Sequence, residues 1–111
     1  MFIYMSTETP LVCNMDVFTP AQRASHIQAT MELVQALQDV QGIEDGYEFR
    51  FPNESELLFK IAEFISNERL CCPFLKFILQ VGGSDEPISF ALTGPDGTQE
   101  FLRAEFGGAI S

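Results

Sequence analysis

Pro73 constrains the course of this chain more than any other residue. It follows a vicinal cysteine pair in Glu68-Arg69-Leu70-Cys71-Cys72-Pro73-Phe74-Leu75. A proline ring disfavours helical geometry in the residue before it. Upstream, Leu57, Leu58, Ile61, Phe64 and Ile65 form a narrow apolar stripe at helical spacing, so one helix face packs on a sheet. That helix must end near Leu70 or Cys71. Lys76 to Val81 then alternates as a strand does. Two adjacent thiols therefore sit where a helix stops and a strand is about to begin.

The remaining elements follow from the same kind of reading. Leu11 to Phe18 is expected as a strand of imperfect alternation. Thr19-Pro20 opens a helix, with Thr19 as N-cap, Pro20 at the first helical position and Gln22 three residues after the cap. Ala24, Ile27, Met31 and Val34 recur along it, and Thr30, Leu33 and Leu37 widen the stripe to about Gln38. Val40 to Ile43 reads as a short strand. Glu44-Asp45-Gly46 is a turn, with glycine accepting a positive φ. Tyr47, Phe49 and Phe51 alternate with Glu48 and Arg50, which gives a strand with one buried and one wet face. Asn53 is expected to cap the following helix, with Glu56 at the capping-box position. Phe77, Leu79 and Val81 pair with Ile88, Phe90 and Leu92 in a hairpin across Gly82-Gly83-Ser84-Asp85. Gly94-Pro95-Asp96-Gly97 leads into a last helix carrying Phe101, Leu102 and Phe106, and Gly107-Gly108 closes the domain.

The resulting order, β-α-β-β-α-β-β-α, predicts an α+β protein. Short connections favour antiparallel pairing. Helices on one face of a mostly antiparallel sheet make a two-layer sandwich, with a ferredoxin-like arrangement as the leading topology. Residues 1–10 read as a flexible N-terminal segment, and residues 11–108 as a single domain.

Charge narrows the choice of partners. The 111 residues carry 16 acids against 6 bases, a formal net charge of -10. Nucleic-acid binding needs clustered Lys and Arg to neutralise phosphates. Here Arg23, Arg50, Lys60, Arg69, Lys76 and Arg103 are scattered singly. Nucleic acid and anionic membrane are therefore not expected as partners. No stretch reaches the length of a membrane span, and Met1 to Met5 lacks the form of a secretion signal. The expected compartment is the cytoplasm, whose reducing conditions keep thiols free.

Several segments carry a resemblance. They are Cys13-Asn14-Met15, Phe18-Thr19-Pro20 with Arg23, Asp45-Gly46-Tyr47 with Phe49-Arg50-Phe51, Glu68-Arg69-Leu70-Cys71-Cys72-Pro73-Phe74, Leu92-Thr93-Gly94-Pro95 with Gly97, and Glu100-Phe101-Leu102. Together they resemble a family of small uncharacterised bacterial proteins with an E-R-L-C-C-P-F motif. The likeness spans nearly all of the chain beyond residue 10. It implies a single-domain bacterial cytosolic protein that keeps Cys13, Cys71 and Cys72. It implies no particular activity or cofactor.

Two functional readings remain. In the first, Cys13, Cys71 and Cys72 converge and bind or sense a soft metal ion such as zinc, or a thiol-reactive compound. Thiolates are the soft ligands for such ions, and His26, the only histidine, would complete a Cys3His set. Glu68 and Arg69 would tune this site from behind the ligands. The adjacent cysteines depart from the C-x2-C spacing of zinc sites. A helix C-terminus also disfavours thiolate, so the site suits an ion better than nucleophilic attack on carbon. A Cys71–Cys72 disulfide would be strained. No catalytic residue is assigned, because no base can be matched to any of the three thiols. In the second reading the cysteines pack in the core, and the protein is a non-catalytic interaction module. The 11 phenylalanines, and Ile78 on the polar face of its strand beside Ala91, would then cover a homodimer interface.

Overall fold

A computed structural model describes residues 11–110. It is an α+β protein with a four-stranded, wholly antiparallel sheet in the order β1-β2-β4-β3. The strands are β1 (Asp39–Ile43), β2 (Gly46–Phe51), β3 (Lys76–Gln80) and β4 (Ile88–Thr93). The helices are α1 (Pro20–Ala36), α2 (Ser55–Cys71), α3 (Thr98–Glu105) and the single turn α4 (Gly107–Ile110). Because β4 slots between β2 and β3, α2 carries the chain across one intervening strand. No described helix is long and apolar enough to cross a membrane. The expected flexible segment, residues 1–10, lies outside the described residues.

The α+β class and the two-layer arrangement agree with the sequence pattern, but the ferredoxin-like topology does not hold. Leu11 to Phe18 forms no strand. Leu11 to Asn14 has no regular structure, and Met15–Val17 is one 3-10 turn. Its hydrogen bonds go elsewhere. The Asn14 side chain accepts from the Asp16 N–H at 3.0 Å, while the Asn14 N–H donates to the Cys71 carbonyl at 2.7 Å. The segment is thus stitched to the end of α2 and has no place in the sheet. The described residues also run past Gly108, and Ile110 packs against the core.

The strand pattern reads through at β2 and β4, whereas β3 stops at Gln80 and leaves Val81, expected in the hairpin, exposed beyond it. Tyr47, Phe49 and Phe51 are buried on the helix-covered face, with Ile88, Phe90 and Leu92 from β4 beside them. Leu33 of α1, Leu57, Ile61 and Phe64 of α2, and Leu102 of α3 close the same core. Phe90 makes an edge contact with Phe64 and stacks on Phe77. On the outer face the Ser89 hydroxyl and the Arg50 guanidinium both donate to Glu48, with the apolar pair Ile78 and Ala91 beside them.

Local capping gives one agreement and two corrections. At α1, Thr19 and Gln22 form the reciprocal capping box, with Pro20 following the cap. At α2 the N-cap is Glu54 and no side chain caps it. Asn53 instead donates from Nδ2 to the Gly83 and Glu86 carbonyls, both at 2.8 Å, and ties down the β3–β4 loop. In the β1–β2 turn the positive φ falls on Asp45, at 58°. Gly46 is needed for a different reason, since a Cβ there would collide with the Leu92 carbonyl of the neighbouring strand.

The α1 stripe is also corrected. His26 and Leu33 are the buried residues of this helix. Ile27, Met31 and Val34 point outward, and they form one wall of the pocket described next.

Candidate functional site: a thiol cluster at the end of α2

Glu68, Cys71 and Cys72 are spaced i, i+3, i+4, so α2 presents all three on one face. The helix runs to Cys71, and the Cys72 N–H closes it on the Glu68 carbonyl at 2.8 Å. Pro73 then turns the chain outward, and Leu75 N–H returns to the Cys72 carbonyl at 3.2 Å. The bond from Asn14 to the Cys71 carbonyl delivers Cys13 to the same spot. One potential ligand atom each from Cys13, Glu68, Cys71 and Cys72 lies within 4.8 Å of the other three. Cys71, Cys72 and Glu68 are buried, and Cys13 is half-buried.

The expectation of three free thiols is corrected. Cys13 and Cys72 are joined as a disulfide with a Cα–Cα separation of 4.4 Å, and Cys71 is free. That separation lies in the normal range for a disulfide. Cys71 Sγ is 3.7 Å from Cys72 Sγ. The vicinal pair itself is unbridged.

Glu68 is the hub of the cluster. Its Oε1 lies 2.7 Å from His26 Nε2 and accepts from the Cys71 thiol at 3.7 Å. Its Oε2 is 3.3 Å from Cys72 Sγ. Burial pushes the Cys71 thiol up to about 12, and the charge and hydrogen bond of Glu68 push the same way. A low-dielectric site beside a carboxylate penalises a second negative charge. Cys71 is therefore a neutral thiol at physiological pH, in line with its place at a helix C-terminus.

Of the residues expected at the site, the three cysteines come together. His26 is not among the four clustered donors. It is 5 % exposed, packed between Phe18 and Phe64, and reaches the cluster through Glu68. Its Nδ1 is buried without a hydrogen-bond partner among the described residues. Glu68, expected behind the ligands, stands among them. Arg69 is exposed on the outer side of α2 and forms no ion pair among the described residues. Glu68 shares a helix face with both cysteines. The i, i+3, i+4 spacing was the signal for it.

A surface pocket of about 500 Å³ opens over the cluster. Cys13, His26, Glu68, Cys71 and Cys72 line one side of it. Ile27, Met31 and Val34 of α1 line another, and Glu105 and Phe106 stand at the rim. Ile27, Met31 and Val34 form an apolar stripe in the sequence, and periodicity alone does not separate a core-facing stripe from a pocket wall.

The fold and site together define a small α+β protein with a carboxylate-flanked three-cysteine cluster beneath a half-apolar pocket. Comparison with protein-family models, curated proteins and solved structures finds no match for this chain.

Proposed function

We propose that this protein is a thiol site that binds or senses soft metal ions or thiol-reactive compounds, active when Cys13–Cys72 is reduced. One observation carries the reading: three sulfurs and a carboxylate oxygen meet within 4.8 Å at the edge of a pocket. Such a donor set suits thiophilic ions, zinc among them. The donors would be Cys13, Cys71, Cys72 and Glu68, with His26 holding the Glu68 carboxylate in place. A bound cation would deprotonate Cys71 despite its raised pKa, since a coordinated thiol loses its proton outright. The proposal includes a reducing, cytoplasmic setting, because the disulfide occupies two of the four donors.

The test is native mass spectrometry of the reduced protein with zinc and cadmium, each before and after chelation. One ion per chain is expected, lost in a Cys71→Ser/Cys72→Ser double variant. Uptake that survives in the double variant overturns the reading.

A second reading, a homodimeric interaction module, is favoured by Ile78, which is 43 % exposed and paired with Ala91 on the outer face of the sheet. Sedimentation velocity tests it: an Ile78→Lys variant should dissociate such a dimer. A wild-type monomer at all concentrations removes the reading.

A further inference from the structure

We propose that the pocket takes a thiophilic centre bearing one apolar organic substituent, of the class of organoarsonous acids R–As(OH)2. The centre bridges Cys71 and Cys72, and the substituent lies on the α1 wall. The inference rests on the thiol-site reading and names the ligand of that site.

Three observations point to this class. First, the pocket, at about 500 Å³, is of small-molecule size and far larger than a bare ion requires. Second, one wall is apolar without being core. Ile27, Met31 and Val34 are 48 %, 54 % and 37 % exposed, lie at i, i+4 and i+7 on α1, and all face the pocket. A metal ion held by sulfur would make no use of them. Third, Cys71 and Cys72 offer two sulfurs 3.7 Å apart, close enough for one trivalent atom to bridge. Arsenic in R–As(OH)2 has two exchangeable hydroxyls and one carbon, which matches two thiols and an apolar wall.

The chemistry balances without any change in arsenic oxidation state. An external dithiol first reduces the Cys13–Cys72 bond. It leaves as a disulfide, and Cys13 and Cys72 each gain a hydrogen. Two As–S bonds then form to Cys71 and Cys72 as two As–O bonds break, and each thiol proton leaves with a hydroxyl as water. Each thiol proton needs an acceptor as its As–S bond forms. Glu68 supplies one, with oxygens 3.7 Å from Cys71 Sγ and 3.3 Å from Cys72 Sγ. His26 Nε2 holds that carboxylate at 2.7 Å. Cys13 is the half-buried sulfur of the three, so freeing it opens the way to the buried pair.

The experiment titrates the reduced protein with phenylarsonous acid and with inorganic arsenite. Competition with a simple dithiol measures each affinity, which removes the intrinsic difference between the two arsenicals. Relative to that dithiol, the protein should favour the phenyl form by roughly tenfold, as expected for partial burial of an aryl ring. Met31→Glu, a change at an exposed position, should bring that preference close to unity. No phenyl preference in the wild type, or full preference in Met31→Glu, overturns the assignment of the α1 wall while arsenite binding still upholds the thiol site. Failure of both arsenicals to bind the reduced protein, with its fold intact by circular dichroism, overturns this inference, and the thiol-site reading falls with it only if zinc and cadmium uptake also fail.

Discussion

Glu68 Oε1 lies 2.7 Å from His26 Nε2, and both side chains are buried, 42 residues apart in the chain. The pair joins α1 to α2 directly behind the thiol cluster. His26 is packed against Phe18 on one side and stacked on Phe64 on the other. The carboxylate that shapes the Cys71 environment is thus fixed by a partner on another helix.

Removing His26 should leave the Glu68 carboxylate buried with no cationic or N–H partner. Leaving one buried hydrogen-bonding group without its partner costs about 1–3 kcal/mol. His26→Ala is therefore expected to lose that much stability in urea unfolding. Glu68→Gln, which keeps a hydrogen-bonding group at the same place, should lose clearly less. Equal losses for the two variants would show that the pairing contributes little.

Stability should fall in alkali because of Cys71. Its thiol is raised from 9.0 to about 12 in the folded protein, by burial and then by Glu68. A group whose folded pKa lies above its unfolded value contributes stability that is complete below the unfolded pKa. That contribution is lost as pH rises toward the folded one. The oxidised wild type should therefore lose stability steadily between pH 9 and 12, and Cys71→Ser should flatten that decline. Parallel Tm curves for the two proteins over this range would contradict the assignment.

The Cys13–Cys72 bond spans a sequence separation of 59. Closing a loop of that length stabilises a fold by about 4 kcal/mol on chain-entropy grounds. Cys13→Ser, compared with the oxidised wild type under non-reducing conditions, should show a loss of this order. The same substitution compared with the reduced wild type should show almost none. A variant as stable as the oxidised protein would mean that the bond constrains nothing.

Gly46 tests the sheet register. A methyl group there runs into the Leu92 carbonyl of β4, and backbone cannot yield as a flexible side chain can. Gly46→Ala should destabilise by about 2 kcal/mol or more, whereas Gly108→Ala, whose Cβ meets nothing within 4 Å, should be close to neutral. Thermal unfolding of the two variants separates them. A mild effect at Gly46 would argue against the β2–β4 pairing.

Much of the fold was legible because its signals are local. The Thr19–Gln22 box, the alternation of Tyr47, Phe49 and Phe51, and the helix end imposed by Pro73 each depend on residues a few positions apart. Asn53 misled for an instructive reason. Its side chain suits a helix cap, yet it found better acceptors in Gly83 and Glu86, some thirty residues away. The α1 stripe misled similarly. Periodicity shows that apolar residues share a side of a helix, but not whether that side meets the sheet or a pocket.

What the amino-acid order determined alone was the run of helices and strands from Thr19 onward, their α+β class and the placing of two thiols at a helix end. What only the folded chain decided was that Leu11 to Phe18 leaves the sheet, that Cys13 reaches Cys72, and that Glu68 rather than His26 joins the sulfurs. The reason is physical. Helix stops and strand alternation come from sterics and burial within one segment, whereas the cluster depends on one backbone hydrogen bond, Asn14 to Cys71, between segments that only core packing brings together.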